Sequence, residues 1–324
     1  MGKDKSITFS APGKVHLLGE HAVVYGKPAL LATVDLRVTV SVIPISTVIA
    51  SPTSAGRGNL SFSEMRKIIE PIVKKYLKMK TIPSYQLSIS SKLPIGSGLG
   101  SSAAISASYI AALLTFLKVR WDLTLINRLT FEAEKVFHGN PSGADSATVI
   151  FGGLIWFRKE TDDLKLIHQL PFSIPKKLAK NFVLINTGQP KESTKNMVIM
   201  VKNLYQKKSA VVERFLQKQE QLTKEILEAI KLKSEKKLIS VMKMGENNLE
   251  TIGVVSKTVL PIIRKLESSR GAAKICGGGG KKGPTGILLA YHPIPKIIEN
   301  IAKSYNLDYF KISLGVEGLK KESI

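Results

Sequence analysis

The run Pro94-Ile95-Gly96-Ser97-Gly98-Leu99-Gly100-Ser101-Ser102 has the composition of an anion cradle. Glycines at alternate positions let the backbone approach a ligand closely, and the free N–H groups of a following helix start can bind phosphate oxygens. Ser101 and Ser102 add hydroxyls able to reach a phosphate or a magnesium ion. The run lacks the lysine that closes a Walker A loop, and Ser101 stands where the dinucleotide fingerprint requires its last glycine. A flexible Gly/Ser turn is the bland alternative. An expected strand before the run and an expected helix after it favour the cradle.

Two further segments bear chemistry. Ala11-Pro12-Gly13-Lys14-Val15-His16-Leu17-Leu18-Gly19-Glu20-His21-Ala22-Val23-Val24-Tyr25-Gly26 brings a cation, a carboxylate and an imidazole close together between two expected strands. His138-Gly139-Asn140-Pro141-Ser142-Gly143-Ala144-Asp145 ends an amphipathic helix and delivers an aspartate into a Gly/Pro loop. Loops held by a rigid scaffold are where catalytic groups concentrate. Taken singly, Lys14 fits a surface lysine, His21 a satisfied loop histidine and Asp145 a turn residue.

The elements that must position these groups follow from periodicity. Ile7–Phe9 and the β-branched stretch Leu30–Val42 predict strands, as does the alternating run Tyr85–Ser91. Helices are predicted over Ser63–Met79, over Ser101–Leu117, and from an Asp122 N-cap to about Phe137. A strand is expected near Val149–Phe157. Beyond a strand at Asn181–Asn186, the stretch Glu192–Leu266 reads as mostly helical and lysine-rich. Strands at Ala272–Cys276, Gly286–Tyr291 and Tyr309–Ser313 follow, with a helix over Pro295–Ser304 between the last two. This mixed order predicts an α+β protein rather than regular βαβ winding. Pro171 and Pro175 mark an expected boundary, dividing the chain into domains 1–175 and 176–324.

The chain has 324 residues, 44% of them hydrophobic, which suffices for two cores. Its 48 Lys and Arg outnumber 25 Asp and Glu, a net charge of +23 that suits an anionic partner. Nucleic acid is not the expected one, because zinc-finger spacing, RNP-type aromatics and a basic arm ahead of heptads are all missing from the sequence. No apolar run approaches a membrane span, so no membrane partner is expected. One cysteine, Cys276, precludes an internal disulfide framework and predicts a reducing, cytoplasmic setting.

Together the three segments resemble the GHMP kinase superfamily, and within it the mevalonate kinases. Gly19–Gly26 is similar to that family's first motif, Gly96–Ser102 to its nucleotide-binding motif, and His138–Asp145 to its catalytic-aspartate segment. The resemblance implies two domains, a ribosomal-protein-like N-terminal one and a ferredoxin-like C-terminal one, with the active site between them. It implies phosphoryl transfer from ATP to the 5-hydroxyl of mevalonate, with Mg2+ as cofactor, and it allows a homodimer. The alternatives it leaves are phosphomevalonate kinase, another mevalonate-hydroxyl kinase, or an inactive sugar- or nucleotide-binding regulator.

Carried over by position, Asp145 and Lys14 are the catalytic pair. Ser91, Gly96, Ser97, Gly98, Leu99, Gly100, Ser101 and Ser102 bind ATP, and Ser102 with Glu134, eleven residues before Asp145, binds the metal. Helix periodicity alone leaves Glu134 on one margin of the apolar stripe and Glu132 not far beyond the other and does not choose between them; the family spacing chooses Glu134, with Glu132 as a surface charge. Glu20, His21, Ser142, Lys191, Ser193, Thr194 and Gly278 are expected around the substrate, while Lys191, Ser193 and Thr194 read equally well as helix surface. The late glycine loop, Lys274-Ile275-Cys276-Gly277-Gly278-Gly279-Gly280, departs from the family pattern. It carries Cys276, lacks the usual Gly-Ala step, and runs on into Lys281-Lys282-Gly283-Pro284.

Overall fold

The computed structural model describes residues 6–45, 62–94, 96, 98–139 and 141–323. In chain order it forms β1 (Ile7–Leu18), a 3-10 turn (Ala22–Tyr25), β2 (Ala29–Pro44), α1 (Phe62–Leu77), β3 (Tyr85–Ser91), α2 (Ser101–Phe116), α3 (Leu123–His138), α4 (Ala144–Phe151), β4 (Leu154–Lys159) and β5 (Lys165–Gln169). There follow α5 (Lys176–Ala179), β6 (Phe182–Asn186), α6 (Thr194–Lys207), α7 (Ser209–Lys231), α8 (Glu235–Thr251) and α9 (Leu260–Ser268). The chain ends with β7 (Ala272–Ile275), β8 (Ile287–Tyr291), α10 (Pro295–Ser304), β9 (Asp308–Lys311) and β10 (Lys320–Lys321).

These elements make two antiparallel sheets, one in the order β10-β1-β2-β4-β5 with β3 also paired to β2, the other β7-β8-β6-β9. The expected α+β class is what the chain adopts. The last strand, β10, returns to pair with β1 through Phe9 and Ser10.

β1 and β4 differ from expectation in their bounds, and β5, α5 and β10 have no counterpart in the sequence reading. β1 runs nine residues past Phe9 to Leu18 and so carries Lys14 and His16 itself. Ala11-Pro12-Gly13 has the look of a turn, but the register shift between Pro12 and Gly13 is a bulge that absorbs both residues without ending the strand. Val149 and Ile150 belong to α4, and the strand begins only at Leu154. Gly152 and Gly153 reverse the chain there, both with positive φ (76° and 71°), and a Cβ on Gly152 would overlap the backbone of Gly318.

α2 is apolar nearly all round and buried against β1 and β2, which suits a central helix. α3 begins where Asp122 accepts a hydrogen bond from Leu125 N (2.7 Å). Its buried positions, Ile126, Leu129, Thr130, Ala133 and Glu134, follow the i, i+3, i+4, i+7, i+8 stripe of a core-facing helix. One polar member of that stripe, Glu134, lines a cleft at the end of the helix. Among the described residues no helix is long and apolar enough to cross a membrane.

Candidate active site

A cleft of about 840 Å³ opens where β1, the 96–102 loop, the ends of α3 and α4, α6 and the 277–278 turn converge. Lys14 stands at its base, with only 2% of its side chain exposed. The ammonium lies 3.1 Å from Asp145 Oδ1 and donates to Gly98 O at 2.9 Å, while Lys14 N donates to Leu99 O at 2.9 Å. One residue of β1 is thereby tied to the glycine loop and to the aspartate at once. Asp145 occupies the first turn of α4, where the free N–H groups and helix dipole favour a negative charge. The preceding Gly143 holds φ 93°, and Ser142 Oγ accepts from Ala144 N (3.2 Å), which fixes the turn.

Ser91, Gly96, Gly98, Gly100, Ser101 and Ser102 all line the cleft. Gly98 has φ 76°, and a Cβ on it would meet Cys276 O at 2.9 Å, so the early and late glycine loops touch. Leu99 is placed differently from its neighbours: its side chain is fully buried in the core, and its backbone serves the site, the carbonyl accepting from Lys14 N. Ser97 lies outside the described residues.

Glu134 is buried, and its Oε1 has no hydrogen-bond partner. Burial, then the charge of Asp145, push its pKa up to about 8, opposed by the Ser102 hydroxyl and Lys14. Its Oε2 lies 3.6 Å from His138 Nε2, which in turn is 3.2 Å from Ser102 Oγ. Glu132 instead faces solvent and pairs with Lys135 at 2.7 Å. An orphaned carboxylate oxygen beside a serine hydroxyl and a second carboxylate is a set of hard oxygen donors suited to Mg2+. Among the described residues no three His, Cys, Asp or Glu side chains form a closed metal cage. Magnesium does not need one, since it commonly binds through one or two carboxylates plus substrate phosphates.

On the opposite wall, His21 Nε2 donates to Gly278 O at 3.0 Å, which leaves Nδ1 buried, unpartnered and able only to accept. Burial lowers the His21 pKa to about 4, against the effect of that bond, so the ring is neutral near pH 7. Glu20 also lines the cleft and is fully buried in an ion pair with Lys274. Its second oxygen is unpartnered, and burial raises its pKa against the pull of Lys274. Lys274 donates further to His16 O (3.2 Å) and Ile275 O (2.8 Å). Burial alone would lower the Lys274 pKa, but Glu20, Cys276 and Glu246 raise it overall.

Of the other expected substrate residues, Ser142, Thr194 and Gly278 line the cleft. Lys191 and Ser193 do not. Ser193 caps α6, its Oγ accepting from Asn196 N (3.2 Å), and Lys191 lies along the 281–284 loop. The sequence reading did not single out Glu246, nor the face of α6 bearing Lys195, Val198, Ile199 and Lys202. A lysine inside the apolar strand Ala272–Ile275 was the available signal for a buried partner network.

The GHMP kinases N-terminal domain model matches residues 65–153, and the galactokinase galactose-binding signature matches residues 1–44. The mevalonate kinase of Archaeoglobus fulgidus is 32% identical over 84% of this chain and 88% of its own length. That of Schizosaccharomyces pombe is 30% identical over 85% of this chain and 81% of its own. The fold is similar to that of the L. major mevalonate kinase crystallised in complex with R-mevalonate, with a TM-score of 0.76 at 20% identity, covering 98% of this chain and 97% of that one. With the glycine cradle, the buried lysine and the facing aspartate in one cleft, and relatives aligned along most of their length, this chain belongs to the mevalonate kinase family of the GHMP kinases.

Proposed function

We propose that this chain transfers the γ-phosphoryl group of ATP to the 5-hydroxyl of mevalonate, giving 5-phosphomevalonate and ADP. The observation that carries the reading is the 3.1 Å approach of Lys14 to Asp145 beside the glycine cradle. Phosphoryl transfer asks a protein mainly for alignment and charge stabilisation. Asp145 accepts or orients the proton of the attacking hydroxyl. Lys14, held by Gly98 O and Asp145, stabilises the charge on the group in transfer. Backbone N–H groups from Gly98 to Ser102, at the start of α2, bind the phosphates.

Glu134 and Ser102 are the residues that would hold Mg2+, which when bound offsets the negative charge of the phosphates. The His21 Nδ1 and the free Glu20 oxygen are both acceptors, so this wall suits a substrate hydroxyl rather than an anion. Ser142, Thr194 and Gly278 complete the acceptor side of the cleft. The single cysteine, buried at Cys276, suits a reducing cytoplasmic setting.

A coupled ADP-release assay with mevalonate, phosphomevalonate, galactose and homoserine tests the reading. Mevalonate should give the highest kcat/KM, and turnover should require a divalent cation. Equal or faster turnover of phosphomevalonate would reassign the acceptor, and galactose turnover would give the match over residues 1–44 a functional meaning.

A further inference from the structure

Mevalonate brings a carboxylate into the cleft as well as a hydroxyl, and a carboxylate moved out of water needs a cation. Family position nominates Lys191, but that residue lies against the unusual loop after the late glycines and does not line the cleft. Lys281 N donates to Glu192 Oε2 (3.3 Å), and Pro284 packs within 3.2 Å of where a Cβ on Gly188 would stand. Lys191 Cε lies 3.7 Å from the corresponding position on Gly283. The segment 188–192 and the loop 281–284 therefore pack on each other, and Lys191 lies along that contact and does not line the cleft.

Among the described residues, the lysines lining the cleft are Lys14, Lys195 and Lys202. Lys14 is committed to Asp145 and Gly98 O. His21 is held neutral by burial and supplies no charge. Lys202 stands seven residues further along α6, about 10 Å away from the first turn. Lys195 is in that first turn, next to Thr194, whose Cα, Cγ2 and Oγ1 lie within 3.3 Å of where a Cβ on Gly278 would be. Gly278 is the residue whose carbonyl holds His21. In the other direction Lys195 Cε lies 4.0 Å from the Cβ position of Gly139, on the turn that leads to Ser142. Lys195 thus spans the two walls expected to contact the acceptor, and no ion-pair partner for it is seen among the described residues.

We propose that Lys195, not Lys191, pairs with the carboxylate of the hydroxy-acid acceptor and makes that carboxylate a requirement for turnover. The proposal rests on the functional reading given above. It assigns specificity to a lysine outside the expected motif, and it ties the shift to the Lys281–Pro284 loop that sets this chain apart from the family pattern.

The test removes the charge from each side in turn. Initial rates are measured for the unaltered chain, Lys195→Met, Lys195→Arg and Lys191→Met. The acceptors are mevalonate and 3-methylpentane-1,3,5-triol, which keeps both hydroxyls and lacks the carboxylate. Lys195→Met should lower kcat/KM for mevalonate about 10-fold or more, chiefly through KM, as expected when a bound carboxylate loses its charged hydrogen-bond partner. It should leave the triol rate and the KM for ATP within about threefold, the arginine variant should recover most of the loss, and Lys191→Met should behave as the unaltered chain. Equal losses on both acceptors, a raised KM for ATP alone, or loss of discrimination in Lys191→Met instead would overturn the proposal. Failure of the unaltered chain to phosphorylate mevalonate is a separate result, and it would overturn the functional reading itself.

Discussion

Lys274 and Glu20 form an ion pair in which neither side chain has any exposure to solvent. The pair joins the start of the first motif to the strand that launches the late glycine loop, behind the His21 wall of the cleft. Removing one partner of such a pair leaves an uncompensated buried charge, whereas replacing both together can be nearly neutral. Lys274→Met should therefore cost about 3–5 kcal/mol of stability. The double variant Lys274→Met with Glu20→Met should lose less than the single one, as read by urea denaturation. A double variant no better than the single one would mean that the pair is not the dominant interaction of either residue.

Glu246 supports the same strand from α8, its Oε2 accepting from Ile275 N at 2.9 Å. Burial, opposed by that bond and by Lys274, pushes its pKa up to about 8. Between the ordinary carboxyl range and about pH 8 the folded chain holds this proton and the unfolded chain releases it, so stability falls as pH rises through that window. Glu246→Gln mimics the protonated form and removes the effect. Thermal unfolding should show the unaltered chain losing Tm between pH 5 and 8 relative to Glu246→Gln, by about 1–2 °C for each kcal/mol lost. Parallel curves for the two proteins would show that Glu246 is ionised in the fold.

Much of this arrangement was legible in the sequence, and the misses have physical causes. Asp122 as N-cap, the helix over Pro295–Ser304 and the α+β order all rest on local signals that the tertiary structure respects. β1 was cut short because Pro12 and Gly13 carry the same letters in a bulge as in a turn. Periodicity does not separate Glu134 from Glu132 because Val136, apolar by type, falls on the Glu132 side of the α3 stripe and yet is 62% exposed. Lys195 was missed for another reason. A lysine on an amphipathic helix reads as solvated surface until the partner wall, here Gly139 and Gly278, is known to face it.

The two glutamates of α3 give a direct test of the metal assignment. Glu134 lines the cleft with one oxygen unpartnered, and Glu132 is paired with Lys135 on the surface. In a magnesium titration of initial rates, Glu134→Gln should raise the concentration for half-maximal activity by about 10-fold or more, a ligand loss being felt at least as strongly as the 10- to 100-fold typical of outer-shell partners. Glu132→Gln should leave the curve in place, because an exposed pair contributes at most about 1 kcal/mol. A shift confined to Glu132→Gln would reverse the assignment.

Asp145→Asn should lower turnover by at least about two orders of magnitude while leaving ATP and mevalonate binding nearly intact. The change is almost isosteric and keeps the α4 turn, but it removes the proton acceptor and the charge facing Lys14 at 3.1 Å. A positioned base contributes about 10²–10⁴-fold, and an interaction used chiefly in the transition state lowers kcat rather than raising KM. Lys14→Met should also lower turnover, and the double variant should be less than additive, because each residue acts through the position of the other. Lys14 additionally holds Gly98 O, so its loss should raise the KM for ATP where Asp145→Asn does not. Calorimetry for the two ligands and single-turnover rates separate these effects. Near-normal turnover by Asp145→Asn with both ligands bound would return Asp145 to the role of a turn residue and leave alignment by the glycine cradle as the main source of catalysis.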